Sequence, residues 1–257
     1  MRFASIGSGS SGNALVVESD GTRLLLDCGF SVRETERRLV RLGVEAATLA
    51  AIVVTHEHDD HANSVFALAK RHGIPVFMSS GTLVALRDAG CDVDSGVSLR
   101  CVASDQAVEI ESIRLHPYTV PHDAREPLQY VFSDGARRLG VLTDAGCATP
   151  FMRSMLSGCD ALVLEANHDA GLLMNGDYPP SLKARIAGRM GHLDNAASAA
   201  LLRSLDQSRL KHLVAAHLSE KNNTAELARA ALAEALGCAP DWIDVATQAE
   251  GFAWKEA

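Results

Sequence analysis

The sequence predicts an α+β protein of two packed sheets with helices on both outer faces, and three observations carry that prediction. Strand-like runs are followed by helical patterns, and this order occurs twice along the chain. Short apolar runs such as Ile52-Val53-Val54 and Ala161-Leu162-Val163-Leu164 read as buried strands. Histidine- and carboxylate-bearing turns stand directly after several of these runs. No repeat, low-complexity linker or composition break divides the chain, so one domain over 1–257 is the economical reading.

Taken in order, 2–7, 13–18 and 22–28 read as three strands, the last two joined as a hairpin over Asp20-Gly21. Between the first two lies Gly-Ser-Gly-Ser-Ser-Gly-Asn (7–13), either a loop whose backbone approaches a phosphate or a flexible turn. A helix over 32–42 places Arg33, Arg37 and Arg41 on one face, a spacing that suits a solvated surface. The strand 52–54 and a helix over 62–72 flank a polar loop, followed by a strand near 74–78 and a helix near 80–89. Segments 97–102, 106–110, 113–119, 128–133 and 137–142 read as further strands, followed by a helix over 149–157 and the strand 161–164. Glycine, asparagine and two prolines make 170–180 irregular by expectation. Helices then follow at 181–190 and 194–205, the second capped by Asp194-Asn195. A strand at 212–216, an Ala-rich helix at 224–236 and a last strand at 241–246 close the chain.

With 47% apolar residues the chain can build a sizeable core, and no run of about 18 apolar residues suggests a membrane span. The first residues read as a strand rather than a secretory leader, which makes a cytoplasmic protein the expectation. The six cysteines contain no Cys-x-x-Cys pair and read as reduced thiols. A net charge of −8 argues against a broad, non-specific grip on nucleic acid. It leaves a phosphodiester substrate open, because bound divalent cations reverse the local sign.

The chemistry concentrates in 52–61, where His56, His58, Asp60 and His61 follow the buried strand. Alternation lets His56 and His58 point the same way, while Asp60 and His61 sit where a helix can begin. Such a loop can offer two imidazoles to one metal, and a carboxylate with a third imidazole to a second. This mixture of nitrogen and oxygen donors suits borderline divalent metals. Further candidates stand at later strand ends: His122 in Thr-Val-Pro-His-Asp, Asp144 in Leu-Thr-Asp-Ala-Gly, and His217 in Ala-Ala-His-Leu-Ser.

This His-x-His-x-Asp-His pattern resembles the signature of metallo-β-lactamase-fold hydrolases. The resemblance implies a four-layer αββα sandwich, which the element order alone does not establish. It also implies two divalent metals, zinc or manganese. His56, His58 and His122 would hold one, Asp60, His61 and His217 the other, and Asp144 would bridge them. In that fold Asp27, ending the run Leu24-Leu25-Leu26, would lie behind the ligands and steady one of them.

Glu165 in Leu-Glu-Ala-Asn-His-Asp, His192 in Gly-His-Leu-Asp-Asn, the 7–13 loop and His-Leu-Ser-Glu-Lys-Asn-Asn (217–223) resemble the YycJ-type bacterial branch, similar to β-CASP and tRNA 3′-processing nucleases. That resemblance implies a phosphodiesterase, specifically a 5′-to-3′ DNA exonuclease. A hydroxide between the metals would attack phosphorus, with His192 as general acid and Glu165 and Asp60 assisting. Ser10, Ser11, Asn13, His168, Asn222 and Asn223 are the candidate substrate contacts. Only 26 residues separate Glu165 from His192, which leaves no room for the β-CASP lid domain. His72 reads as a helix-end residue, and His116 and His212 as strand residues.

A thioester or lactone hydrolase is the alternative, since the same ligands activate water against a carbonyl. A β-lactamase fits less well, because no cysteine ligand stands at Asp144 or beyond. An oxygen-reducing di-iron module is disfavoured, because His58 is not a glutamate. An inert binding protein is disfavoured by the complete ligand set. The substrate partner is nucleic acid or a small phosphodiester, and a homodimer is compatible with the sequence.

Overall fold

In a computed structural model of the chain, residues 1–93 and 96–257 are described. The first sheet begins with β1 (Arg2–Gly7), β2 (Ala14–Ser19) and β3 (Thr22–Leu26), paired antiparallel in succession. Asp20 and Gly21 turn β2 into β3 with φ of 45° and 85°, which suits the twist of a tight hairpin. Then α1 (Val32–Arg41), β4 (Ala51–Val53), α2 (Asp59–Ala62), α3 (Val65–His72), β5 (Val76–Met78), α4 (Ser80–Asp88) and β6 (Leu99–Cys101) follow, the strands now parallel.

The second sheet repeats this plan. Strands β7 (Val108–Ile110), β8 (Ile113–Thr119), β9 (Leu128–Ser133) and β10 (Arg138–Leu142) are antiparallel. After α5 (Pro150–Leu156), β11 (Ala161–Glu165) pairs parallel with β10. Then come α6 (Ala170–Asn175), α7 (Pro180–Ile186), α8 (Asn195–Arg203), β12 (His212–Ala216), α9 (Ala225–Leu236) and β13 (Asp244–Val245), the last two strands again parallel.

Residue alternation sorts the strands' side chains into three cores, as a four-layer sandwich requires. Leu15, Val17, Leu24, Leu26 and Val53 face the second sheet and meet Tyr130, Phe132, Val141 and Val163. Val16, Leu25 and Ile52 face outward under helical Leu39 and Leu68. On the far side Leu142, Leu162, Leu164 and Leu213 lie under Met152, Leu202 and Leu232. Each such burial contributes about 1.5–3 kcal/mol, against about 1 kcal/mol for a typical hydrogen bond, so these cores hold the site's scaffold.

Four expectations are corrected. The helix expected over 62–72 is two, because the His61 carbonyl accepts from Cys28 N at 2.7 Å instead of continuing the helical ladder. Segment 170–180 holds α6, started by Asp169 capping Leu172 N at 2.9 Å, and Pro180 begins α7. The strand expected over 241–246 shrinks to Asp244–Val245 behind a 3-10 turn at Pro240–Trp242. Nor does it close the chain: β14 (Phe252–Glu256) returns to the first sheet and pairs antiparallel with β1.

Candidate metal centre and cleft

Parallel pairing aligns the ends of β10, β11 and β12, with Leu142 opposite Leu164 and Glu165 opposite Ala216. That register sets Asp144, Glu165 and His217 side by side at one rim of the second sheet. The ends of β3 and β4 deliver Asp27 and the 55–61 loop to the same rim of the first. Asp27, Asp144 and His217 all turn there with left-handed φ, at 63°, 56° and 56°. Non-glycine residues adopt this conformation uncommonly and at a cost of order 1 kcal/mol or more, which the surrounding structure offsets.

Hydrogen bonds decide which ring nitrogens face inward. His61 Nδ1 donates to Asp27 Oδ2 at 2.8 Å, leaving Nε2 as a lone pair. His56 Nδ1 lies 2.9 Å from Thr55 Oγ1, which in turn donates to Asp27 at 3.0 Å. His122 Nδ1 donates to the Gly191 carbonyl at 3.1 Å. The inward ring nitrogens then crowd together: His58 Nδ1 is 3.0 Å from His56 Nε2 and 3.3 Å from His122 Nε2. Two nitrogens bound at about 2.0 Å to one tetrahedral zinc would stand about 3.3 Å apart.

The carboxylates tell the same story. Asp144 Oδ2 is buried 2.9 Å from His61 Nε2, yet with that nitrogen unprotonated it has no hydrogen-bond donor among the described residues. Asp60 Oδ2 stands 3.3 Å from His217 Nε2 and 3.4 Å from His61 Nε2, and His217 Nδ1 is 3.4 Å from Asp144 Oδ1. Burial would lower the His217 pKa, but Asp144, Asp60 and Glu165 push it up to about 10. Burial likewise opposes charge on His61, and Asp144, Asp60 and Asp27 outweigh it and raise that pKa. For Asp60, burial raises the carboxyl and His61 with His217 more than reverse it. The rim therefore holds converging lone pairs and surplus negative charge that attract positive charge, and its donor set fits divalent cations.

Glu165 lies deeper, wholly buried, accepting from His192 Nδ1 at 2.8 Å, Ala145 N at 2.9 Å and Leu193 N at 3.2 Å. Burial depresses the His192 imidazole, but the Glu165 hydrogen bond and charge, with Asp144, raise it overall. His192 also stands 3.4 Å from Asp144 Oδ1 and lines the cleft with His58, Asp60 and His217.

Of the expected substrate contacts, Ser10 lines this cleft, and Ser11 is exposed with its N–H given to Gln248 Oε1 at 2.8 Å. The others lie inside the fold. Asn13 is buried, its amide shared among Gly9 O, Asp60 and His61 at 3.0–3.3 Å. His168, Asn222 and Asn223 are buried too, and Asn223 exchanges two hydrogen bonds with Asn195. The glycine–serine loop is thus largely spent inside: Ser8 Oγ accepts from His217 N at 2.9 Å, and Asn13 Oδ1 accepts from Gly9 N. Sequence reasoning missed Thr55, Asp123 and Arg185, none of which stands out by spacing. His72 ends α3 against Glu36 at 2.8 Å, and His116 and His212 lie in strands, as expected.

Two seven-stranded sheets sandwiched by helices, with histidines and carboxylates on one rim, define the metallo-β-lactamase fold. The chain belongs to the β-lactamase superfamily, whose domain matches residues 22–217. Within it the chain is 34% identical to the exodeoxyribonuclease YycJ of Bacillus anthracis, over 92% of this chain and 89% of that protein. It is 33% identical to the exodeoxyribonuclease WalJ of Streptococcus pneumoniae, over 88% of this chain and 85% of that one. Among solved structures, the metallo-β-lactamase-fold protein YhfI from Bacillus subtilis superposes with a TM-score of 0.77 at 16% identity, covering 100% of this chain and 98% of that one. No helix among the described residues is long and apolar enough to cross a membrane.

Proposed function

We propose that this metal-dependent hydrolase is a DNA exonuclease working from a 5′ end, with all 257 residues forming one domain. His56, His58 and His122 would hold one divalent ion, zinc or manganese, and Asp60, His61 and His217 a second, with Asp144 shared. The observation that carries the reading is the convergence of the His56, His58 and His122 ring nitrogens at 3.0–3.3 Å, with Asp144 Oδ2 lacking a hydrogen-bond donor among the described residues, an arrangement that bound cations would satisfy. Bound there, such ions supply an activated water and offset charge on a phosphoryl group.

The chain's own residues supply the rest. Asp60, kept ionised by its two imidazoles, can accept a hydrogen bond from a water in the cleft and orient it. His192 faces the cleft with Nδ1 held by Glu165, so Nε2 is left to protonate a departing alkoxide oxygen. A leaving group that needs a proton is what a phosphodiester presents, and the likeness to two exodeoxyribonucleases over most of the chain supports the same substrate.

Metal-replete protein should shorten single-stranded DNA progressively from its 5′ end, with a 3′ label retained until late. A matched RNA and a thioester are the comparisons. Faster turnover of the thioester than of bis(p-nitrophenyl) phosphate would replace this reading with the ester hydrolase.

A further inference from the structure

The outer wall of the cleft is α7 and the turn before it, which the chemistry above leaves unused. Tyr178, Leu182 and Arg185 line the same space as His58, Asp60 and His192. Arg185, with a side chain 61% exposed, donates through Nε to Asp123 Oδ2 at 2.6 Å. The other Asp123 oxygen is 3.5 Å from His122 Nε2, so the guanidinium is anchored beside an imidazole that faces the proposed metals. Neither Nη of Arg185 has a protein acceptor among the described residues. The other cation of this helix is already engaged, since Lys183 Nζ donates to the Met174 carbonyl at 2.8 Å.

This wall is fixed to the site. His192 N donates to the Ile186 carbonyl at 2.9 Å, while the Gly191 carbonyl accepts from His122. A Cβ at Gly191 would stand 2.2 Å from the carbonyl oxygens of Arg185 and Ile186, so the close approach requires glycine. Tyr178 is half-buried with Lys221 Nζ 5.4 Å from its ring centroid, which places a second cation on one face of the ring.

A guanidinium with both Nη groups open and an aromatic ring, each beside a phosphodiester centre, match the two parts of a nucleotide. We propose that Arg185 and Tyr178 form a nucleotide subsite, Arg185 binding a phosphate next to the scissile one and Tyr178 stacking its base. The proposal rests on the phosphodiesterase reading. In a chain of net charge −8, cations placed this way give substrate a local foothold that the overall surface does not.

The test is the binding of a fluorescent, phosphorothioate-linked single-stranded DNA to metal-loaded protein by anisotropy across a salt series. Arg185→Ala should weaken binding roughly 10-fold and flatten the log–log salt slope by about 0.7, one phosphate contact on a single strand. Tyr178→Ala should cost at least about 5-fold, and Tyr178→Phe should restore it, because stacking needs the ring and not the hydroxyl. Wild-type affinity and salt slope in both alanine variants would overturn the subsite. So would a loss in Arg185→Ala accompanied by lost metal, which would reduce Arg185 to a support for Asp123. A wild-type protein that binds through Arg185 yet leaves unmodified DNA intact would uphold the subsite and overturn the nuclease.

Discussion

His192 Nδ1 and Glu165 Oε1 lie 2.8 Å apart, with the carboxylate wholly buried and the imidazole at the cleft surface. A buried anion behind an accessible ring fixes the tautomer and favours a proton on the outward nitrogen. His192→Ala should therefore keep its metal and lose about 10²–10⁴-fold in turnover of a natural phosphodiester. The loss should be far smaller with a p-nitrophenyl ester, whose leaving group needs little protonation. Equal losses on both substrates, or loss of metal, would remove the general-acid role and make His192 a ligand or a support.

Asp144 touches both halves of the centre, 2.9 Å from His61 and 4.0 Å from His122. Elemental analysis of active wild-type protein should find about two divalent metals per chain. Asp144→Ala should lower occupancy of both or abolish nearly all turnover. A fully loaded, active variant would defeat the shared-ligand assignment.

Asp27 accepts from Thr55 N at 2.8 Å on one oxygen and from His61 Nδ1 at 2.8 Å on the other. In Asp27→Asn the side-chain NH2 must face one of those donors. Turned toward His61, it drives the imidazole proton to Nε2 and removes the lone pair that faces Asp144. Competition with a chelator should show metal affinity reduced roughly 10–100-fold with the protein still folded. Unchanged affinity would show that Asp27 only braces the strand end.

The thiols should divide sharply. Burial pushes Cys28 up to about 12 and Cys159 up to about 11, whereas Cys91 and Cys101 are exposed. At pH 8 a thiol with a pKa near 12 is about 10⁻⁴ thiolate, against about a quarter for an ordinary cysteine. Iodoacetamide followed by peptide mass analysis should label Cys91 and Cys101 in native protein, and Cys28 and Cys159 only after unfolding. Early labelling of Cys28 would mean that α1 opens readily.

What could be read in advance was local. The hairpin over Asp20-Gly21, the apolar run before His56 and the Asp194 cap depend on neighbouring residues alone, and each formed as expected. The 55–61 loop was legible because its spacing carries chemistry. Tertiary demand was not legible: a Cys28 amide takes the His61 carbonyl and breaks a helix, and Asp27, Asp144 and His217 are held left-handed. The setting of Asn13 was not legible for a related reason. Beside glycine and serine, Asn13 looks exposed, but the fold spends its amide beneath Asp60 and His61. Arg185 and Tyr178 gain meaning only once α7 is seated across the cleft.

The return of β14 to β1 bears on how such a molecule is made. Every other strand of the first sheet lies within residues 2–101, so that sheet can begin to assemble early in synthesis. Its β1 edge stays unpaired until Phe252–Glu256 arrives, and Gly251, where a Cβ would stand 2.0 Å from the Ser5 carbonyl, lets the strand settle. During that interval Phe3-Ala4-Ser5-Ile6 presents an open, mostly apolar edge, the kind that recruits strands from other chains. Closing so long a loop is slow. The nascent protein thus carries an aggregation hazard at β1 that the pairing of β14 removes.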